Sequence, residues 1–380
     1  MQRPKRSFIV AFATAAMAWP SLASALPTVP IGTPAGPFFG APLRIDNVAI
    51  YPITLVAQDD LGPVVTLEEA LARGQAEVRE VGAREAGARV PSPVQRVRRQ
   101  QNEQNQVQEN IGLGGGPTVG TLVIENKGKV PLFVLAGTVV KGGNQDRQIG
   151  QDFIVDAGKV VAVDAFCVEH GRWAGDRNGQ GTGGKFEAVA MLATKKVRAA
   201  GQHAKNQSEV WSKVSEANKA HAKKAASGTL MATFDDRELA AKTEALSQRI
   251  ARALATASSS ERLVGFAYAI DGQIQGARWF AHHRLYAMYE AKLVRSAAIE
   301  ALTAEAEARA AGKAAFGGAD PGSEAVARFI AEVEVQAVKE RRETGGQNAN
   351  EYKESAKGYG AKTYMKGPAG KAVSFDYMSK

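Results

Sequence analysis

The sequence predicts an α+β protein, an antiparallel β-sheet or sandwich core with long Ala-rich helices packed against it. Two patterns carry that expectation. Between residues 119 and 173, short runs rich in Val, Ile and Phe alternate with turn residues, the spacing of an antiparallel sheet. After Ala188 the texture changes to long Ala-rich stretches, which predict helices over 189–224 and 236–257.

The elements follow in order. Residues 26–41, rich in Pro and Gly, read as an extended lead-in. Apolar alternation over 43–55 predicts a strand interrupted near Pro52. Thr66 stands three residues before Glu69, so its hydroxyl can cap a short helix over 67–73, and Gly74 supplies the left-handed stop before a strand near 76–81. Residues 84–117 are poor in apolar side chains and crowded with Gln and Arg. They cannot bury enough surface to offset the entropy of ordering and read as a disordered insertion. Strands are expected over 122–125, 130–140, 147–155 and 160–168. Asp271-Gly272 between two apolar runs suits the two left-handed residues of a type I′ hairpin turn. A long helix over 281–311 shows Leu285, Met288, Tyr289 and Leu293 on one face, with Lys292 as the polar exception on it. Residues 352–380 alternate in short segments that can return as strands.

These elements give a main domain over 42–312 and a helical and short-strand extension over 313–380. Ahead of them, Arg3, Lys5 and Arg6 precede an apolar run and the small-residue triplet Ala23-Ser24-Ala25, the three-part plan of a secretory signal peptide over residues 1–25. Cleavage near Ala25 leaves a chain of about 355 residues, expected in the periplasm or medium, and no later stretch approaches the roughly 20 apolar residues of a membrane span.

The formal charge of +9 includes the three leader cations, which leaves about +6 spread along the rest of the chain. No basic block is interleaved with aromatic residues, so nucleic acid is not an expected partner. Cys167 is the single cysteine, so no internal disulfide can form and stability rests on an ordinary core. Among apolar neighbours it reads as a buried small hydrophobe rather than a nucleophile. Cys167 and His170 fall on opposite faces of a strand, and His282 and His283 diverge on a helix. Neither pair forms a convergent zinc site, and neither a metal nor a cofactor is expected. The run 179–185 has the spacing of a phosphate loop but ends in Phe186 where the Mg²⁺-binding hydroxyl belongs, so it reads as a Gly-rich insertion.

The strongest chemical grouping is Gln145, Asp146 and Arg147 with Glu169, Arg172 and Trp173, placed at the ends of neighbouring strands. Arginine offers a rigid fork to carboxylate or phosphate, the carboxylates can accept from sugar hydroxyls or activate water, and Trp offers a stacking face. Gln145, Arg147, Arg172 and Trp173 are the candidate ligand-binding residues, with Asp146 and Glu169 the candidate catalytic carboxylates. The same residues also suit a structural lock in which the arginines pair with the acids. On the helix expected nearby, Gln207, Trp211 and Val214 share a face, and Trp211 reads as core packing against the sheet.

The stretches 141–147, 167–173, 207–211 and 265–270, with weaker ones at 74–80 and 280–293, resemble the ADP-ribosylglycohydrolase- and rhodanese-phosphatase-superfamily-associated protein family. The likeness covers about 43–302 and is specific at Gly142-Gly143-x-Gln145-Asp146-Arg147 and at Cys167-Val168-Glu169-x-Gly171-Arg172-Trp173. It implies an α+β domain and, through the genes for which the family is named, a tie to nucleotide-sugar or phosphoester metabolism. The leading expectation is an exported protein that binds a sugar, nucleotide-sugar or phosphorylated small ligand. The alternatives are a hydrolase of glycosidic or phosphoester bonds, with Glu169 or Asp146 as general base, and a cell-envelope interaction module without a small-molecule site.

Overall fold

A computed structural model describes residues 36–80, 120–172, 176–177, 180–182, 184–257, 260–312, 319–366 and 370–380. The leader expected at 1–25, the insertion at 84–117 and Trp173 lie outside the described residues, as does part of the Gly-rich run 179–185.

The lead-in expected at 26–41 includes a short strand, β1 (Phe38–Phe39), which pairs with β3 (Val48–Thr54) beside β2 (Leu43–Ile45). The break expected at Pro52 is instead a tight turn at Asp46, whose φ is 54°. Pro52 sits inside β3. Its carbonyl accepts from Gly40 N at 2.8 Å, so its missing N–H faces the gap between β1 and β2, where no ladder bond is lost. β4 (Val65–Thr66) leads into α1 (Leu67–Ala72), capped as expected by the Thr66 hydroxyl, which accepts from Glu69 N at 3.2 Å. Gly74 follows in the left-handed conformation before β5 (Ala76–Glu80).

β6 (Thr121–Asn126) is one of the expected strands, but two of the longer runs split. The stretch 130–140 becomes β7 (Leu132–Val134) and β8 (Thr138–Gly142), broken at Gly137 with φ 81°. The stretch 147–155 becomes β9 (Arg147–Ile149) and β10 (Phe153–Val155). Each run feeds two sheets, because β7 and β10 pair with one another while β8 and β9 pair beside β11 (Val160–Cys167). A two-stranded ribbon, β12 (Asp176–Arg177) and β13 (Gln180–Gly181), precedes β14 (Phe186–Leu192). The helix expected from Val189 therefore begins later. The first residues of that stretch pair with β8, because a free sheet edge there needs backbone partners that a helix cannot supply.

The Ala-rich half then gives α2 (Lys195–Gln202), α3 (Gln207–Ala220), α4 (Met231–Phe234) and α5 (Arg237–Ala257). The hairpin β15 (Leu263–Ile270) and β16 (Gln273–Phe280) turns at Asp271 and Gly272 with φ of 49° and 73°, the type I′ signature. After α6 (His283–Ala310) and α7 (Ser323–Glu334), the segment read as an extension supplies β17 (Glu340–Glu343), β18 (Asn348–Glu354), β19 (Gly358–Met365) and β20 (Ala372–Ser379).

These strands are not peripheral. β20 pairs with β16, and the nine-stranded antiparallel sheet runs β1-β3-β15-β16-β20-β19-β18-β17, with β2 beside β3. A six-stranded antiparallel sheet, β14-β8-β9-β11-β6-β5, forms the second layer, and β10-β7-β4 the third sheet. α6 links them. Its Leu285, Tyr289, Leu293 and Ala297 join β3 and β15 in one core, while Ser296 Oγ accepts from Leu192 N of β14 at 2.9 Å. Lys292, the polar exception on that face, is 6% exposed and pairs with Glu68 of α1. The fold is α+β with an antiparallel sheet core and Ala-rich helices against it.

Candidate functional site

The two specific motifs meet because β9 and β11 pair with Arg147 opposite Cys167. The first motif is the turn from β8 into β9, and the second runs off the end of β11, where Val168 N donates to Asp146 O at 2.9 Å. The turn needs its glycines. Gly142 has φ 133°, and a Cβ there would lie 2.1 Å from Lys185 O, while one on Gly143 (φ 48°) would lie 2.2 Å from Phe186 Cζ.

The polar side chains at this junction are bonded to one another, and all but the half-buried Arg172 and Asn144 are buried. Glu169 Oε2 accepts from Asp146 N at 3.1 Å and lies 2.8 Å from Arg172 Nη2. Asp146 accepts from Gly142 N at 3.0 Å, from Thr229 Oγ1 at 2.7 Å and from Arg172 at 3.3 Å. Arg172 also donates to the carbonyls of Gly143 and Gly142 at 2.7 and 3.1 Å. Gln145 donates to Glu169 O at 3.1 Å and accepts from Arg147 at 3.2 Å. Exposure is 0% at Gln145 and Asp146, 2% at Glu169 and 3% at Arg147, while the Arg172 side chain is 9% exposed.

The ion pair of Arg147 is with Glu80 of β5, at 3.4 Å, and not with Asp146 or Glu169 as the lock reading assigned it. Glu80 in turn accepts from Asn144 N and Nδ2 at 3.1 and 2.6 Å. Sequence reasoning missed Glu80 and Thr229. Glu80 did carry a signal, since it closes one of the weaker family-like stretches.

Beside the network, the third motif builds an open groove. Gln207 donates to Cys167 O at 2.8 Å and accepts from Cys167 N at 2.9 Å, continuing the β-ladder at the end of β11 with a side chain. One turn further along α3, the Trp211 ring meets His170 edge-on at 4.4 Å and 85°. Trp211 is half-buried and packs at the rim of the groove instead of in the core. Its indole Nε1 meets no acceptor among the described residues. The groove holds about 1150 Å³, and Ser208, Ser212, Ser215 and Lys219 line it from one face of α3. Lys223 and Lys224 close its far wall, Lys223 paired with Asp236 at 2.5 Å.

A model of the ARG and Rhodanese-Phosphatase-superfamily-associated Protein domain matches residues 38–376. The chain belongs to this family. The ARG and Rhodanese-Phosphatase-associated domain thus extends beyond the likeness read at 43–302 and takes in β17, β18, β19 and most of β20. Searches of the curated proteins and of the solved structures found no match.

Within this domain Cys167 is fully buried, and burial pushes its thiol up to about 11. Among the described residues no three His, Cys, Asp or Glu side chains converge as a metal site requires, and no helix is long and apolar enough to cross a membrane.

Proposed function

We propose that this chain is an exported binding protein for a small phosphorylated or sugar-containing ligand, and that the ligand sits in the His170–Trp211 groove beside the buried network. The observation that carries the reading is the groove itself. An aromatic rim of His170 and Trp211 shares the groove with serine hydroxyls and the Lys219 and Lys224 cations, the donors that a phosphate or a ring hydroxyl requires. The Gln145 to Arg147 and Glu169 to Arg172 motifs then act as the frame that sets His170 in place. His170 N and Gly171 N both donate to Ser227 O, at 2.9 and 2.8 Å, which ties the groove wall to the end of β11. Export rests on the leader pattern at residues 1–25.

A hydrolase using Glu169 or Asp146 is the weaker reading, because both carboxylates are occupied by backbone, hydroxyl and guanidinium donors and neither lines the groove. Calorimetric titration of the full chain with ADP-ribose, ribose 5-phosphate and glucose 1-phosphate tests the proposal. At least one should bind, and Lys219→Ala with Lys224→Ala should weaken it tenfold or more. Absence of binding by all three would leave the interaction-module reading in its place.

A further inference from the structure

A second cleft, of about 1260 Å³, shares no lining residue with the groove. α2 opens at its wall with Lys195, between the turn of the β15–β16 hairpin and the C-terminal part of α6. Every other lysine on that side for which a partner is seen meets a carboxylate: Lys196 with Glu307 at 3.4 Å, Lys213 with Glu216 at 2.7 Å, Lys380 with Glu354 at 2.8 Å. Lys195 does not. Its Nζ donates to Gln275 Oε1 at 2.7 Å and to Ser379 Oγ at 2.8 Å, two neutral acceptors. Glu300, the acid that acts on this amine, has its oxygens engaged elsewhere, with Oε1 accepting from the Lys195 backbone N–H at 2.7 Å and Oε2 from the Tyr268 hydroxyl at 2.6 Å.

The setting disfavours charge on this amine. Lys195 stands in the first turn of α2, which has no acidic residue of its own, with Lys196 and Arg198 alongside, and the one acid at this helix start, Glu300, is bonded to the Lys195 backbone N–H and to Tyr268. Burial holds its pKa below the usual lysine value, with Glu300 opposing and Lys196 and Arg198 adding to the effect. A neutral amine has two hydrogens and one lone pair. When the amine is neutral, with both hydrogens held by Gln275 and Ser379, that lone pair is left for an electrophile.

We propose that Lys195 is a carbonyl-reactive amine that anchors a small polar aldehyde or ketone in this cleft as an imine. The Nζ lone pair adds to the carbonyl carbon, one N–H proton passes to the oxygen to give the carbinolamine, and that hydroxyl leaves as one molecule of water with the second N–H proton as the C=N bond forms. No oxidant or reductant takes part. Asn47, Gln273 and Thr303 line the cleft with amide and hydroxyl groups among carboxylates that include Glu216 and Glu305, which suits a neutral hydroxylated carbonyl compound better than an apolar or anionic one.

The test is site-resolved reductive trapping on the full chain. With limiting glycolaldehyde and cyanoborohydride at pH 7, peptide mapping should find the adduct forming at Lys195 at least tenfold faster than at Lys196 or Lys213. Equal or slower labelling of Lys195 overturns the proposal without recourse to any variant. In Lys195→Arg the fast adduct should vanish while Lys196 labels at its former rate. Persistence of the fast adduct in that variant also overturns it.

Discussion

Arg147 Nη2 lies 3.4 Å from Glu80 Oε1, and the two side chains are 4% and 5% exposed, so one buried ion pair ties the first strand of the six-stranded sheet's edge to the turn that carries the Gly142-Gly143 motif. Removing one member leaves the other charged and away from water. Arg147→Ala should therefore cost about 3–5 kcal/mol. Thermal unfolding of Arg147→Ala, Glu80→Ala and the double variant checks this, and the double variant should lose less than the two single losses together. Ligand affinity that disappears in Arg147→Ala without loss of stability would show that the residue faces a ligand.

His203 gives the protein an acid sensitivity of its own. Its ring stacks on Tyr359 at 4.7 Å and meets Tyr352 edge-on at 5.5 Å, and burial pushes its pKa from 6.5 down to about 3, with Arg342 and Arg198 adding to the effect and Asp376 and Glu354 opposing it. Between those values the unfolded chain takes up a proton that the folded chain refuses. Stability should fall as pH drops from 6.5 toward 3, with a slope of up to about 1.4 kcal/mol per pH unit from this group. Urea unfolding at pH 7 and pH 5 should show a smaller loss for His203→Gln than for the parent, since the other groups titrate in both.

Cys167 should be chemically silent in the folded state. With no exposed surface and its thiol raised to about 11, it should react with a disulfide reagent only at the rate of unfolding. Stopped-flow labelling in water and in urea separates these rates, and Cys167→Ser should keep any ligand affinity. Fast labelling of the folded chain together with loss of affinity in the serine variant would restore a nucleophilic role.

Local signals were legible where one residue type fixes the backbone. Thr66 before Glu69, and Asp271-Gly272 between apolar runs, each admit few alternatives, and the structure has the cap and the turn. The meeting of Asp146 with Glu169 and Arg172 was legible as well, because neighbouring strands in an antiparallel sheet bring adjacent turns together. Long-range choices were not. The backbone of β14 completes a sheet edge against β8, and nothing in its Ala-containing pattern distinguishes that from a helix start. Lys292 was an apparent flaw on an apolar face because its partner Glu68 lies on α1, far away in sequence. Glu80 was hidden from Arg147 in the same way, by a separation that no periodicity records.

The position of β20 between β16 and β19 has a consequence for how the chain is made. The β15–β16 hairpin and the β18–β19 meander can each form from near neighbours, but they join only through residues 372–379. While the ribosome is still short of that segment, both β16 and β19 present a row of unpaired N–H and C=O groups, one facing the other across an empty place. Chains stalled or clipped before residue 372 should be bound by holdases and found in the pellet, whereas those that continue through 379 have that place filled from within the same molecule.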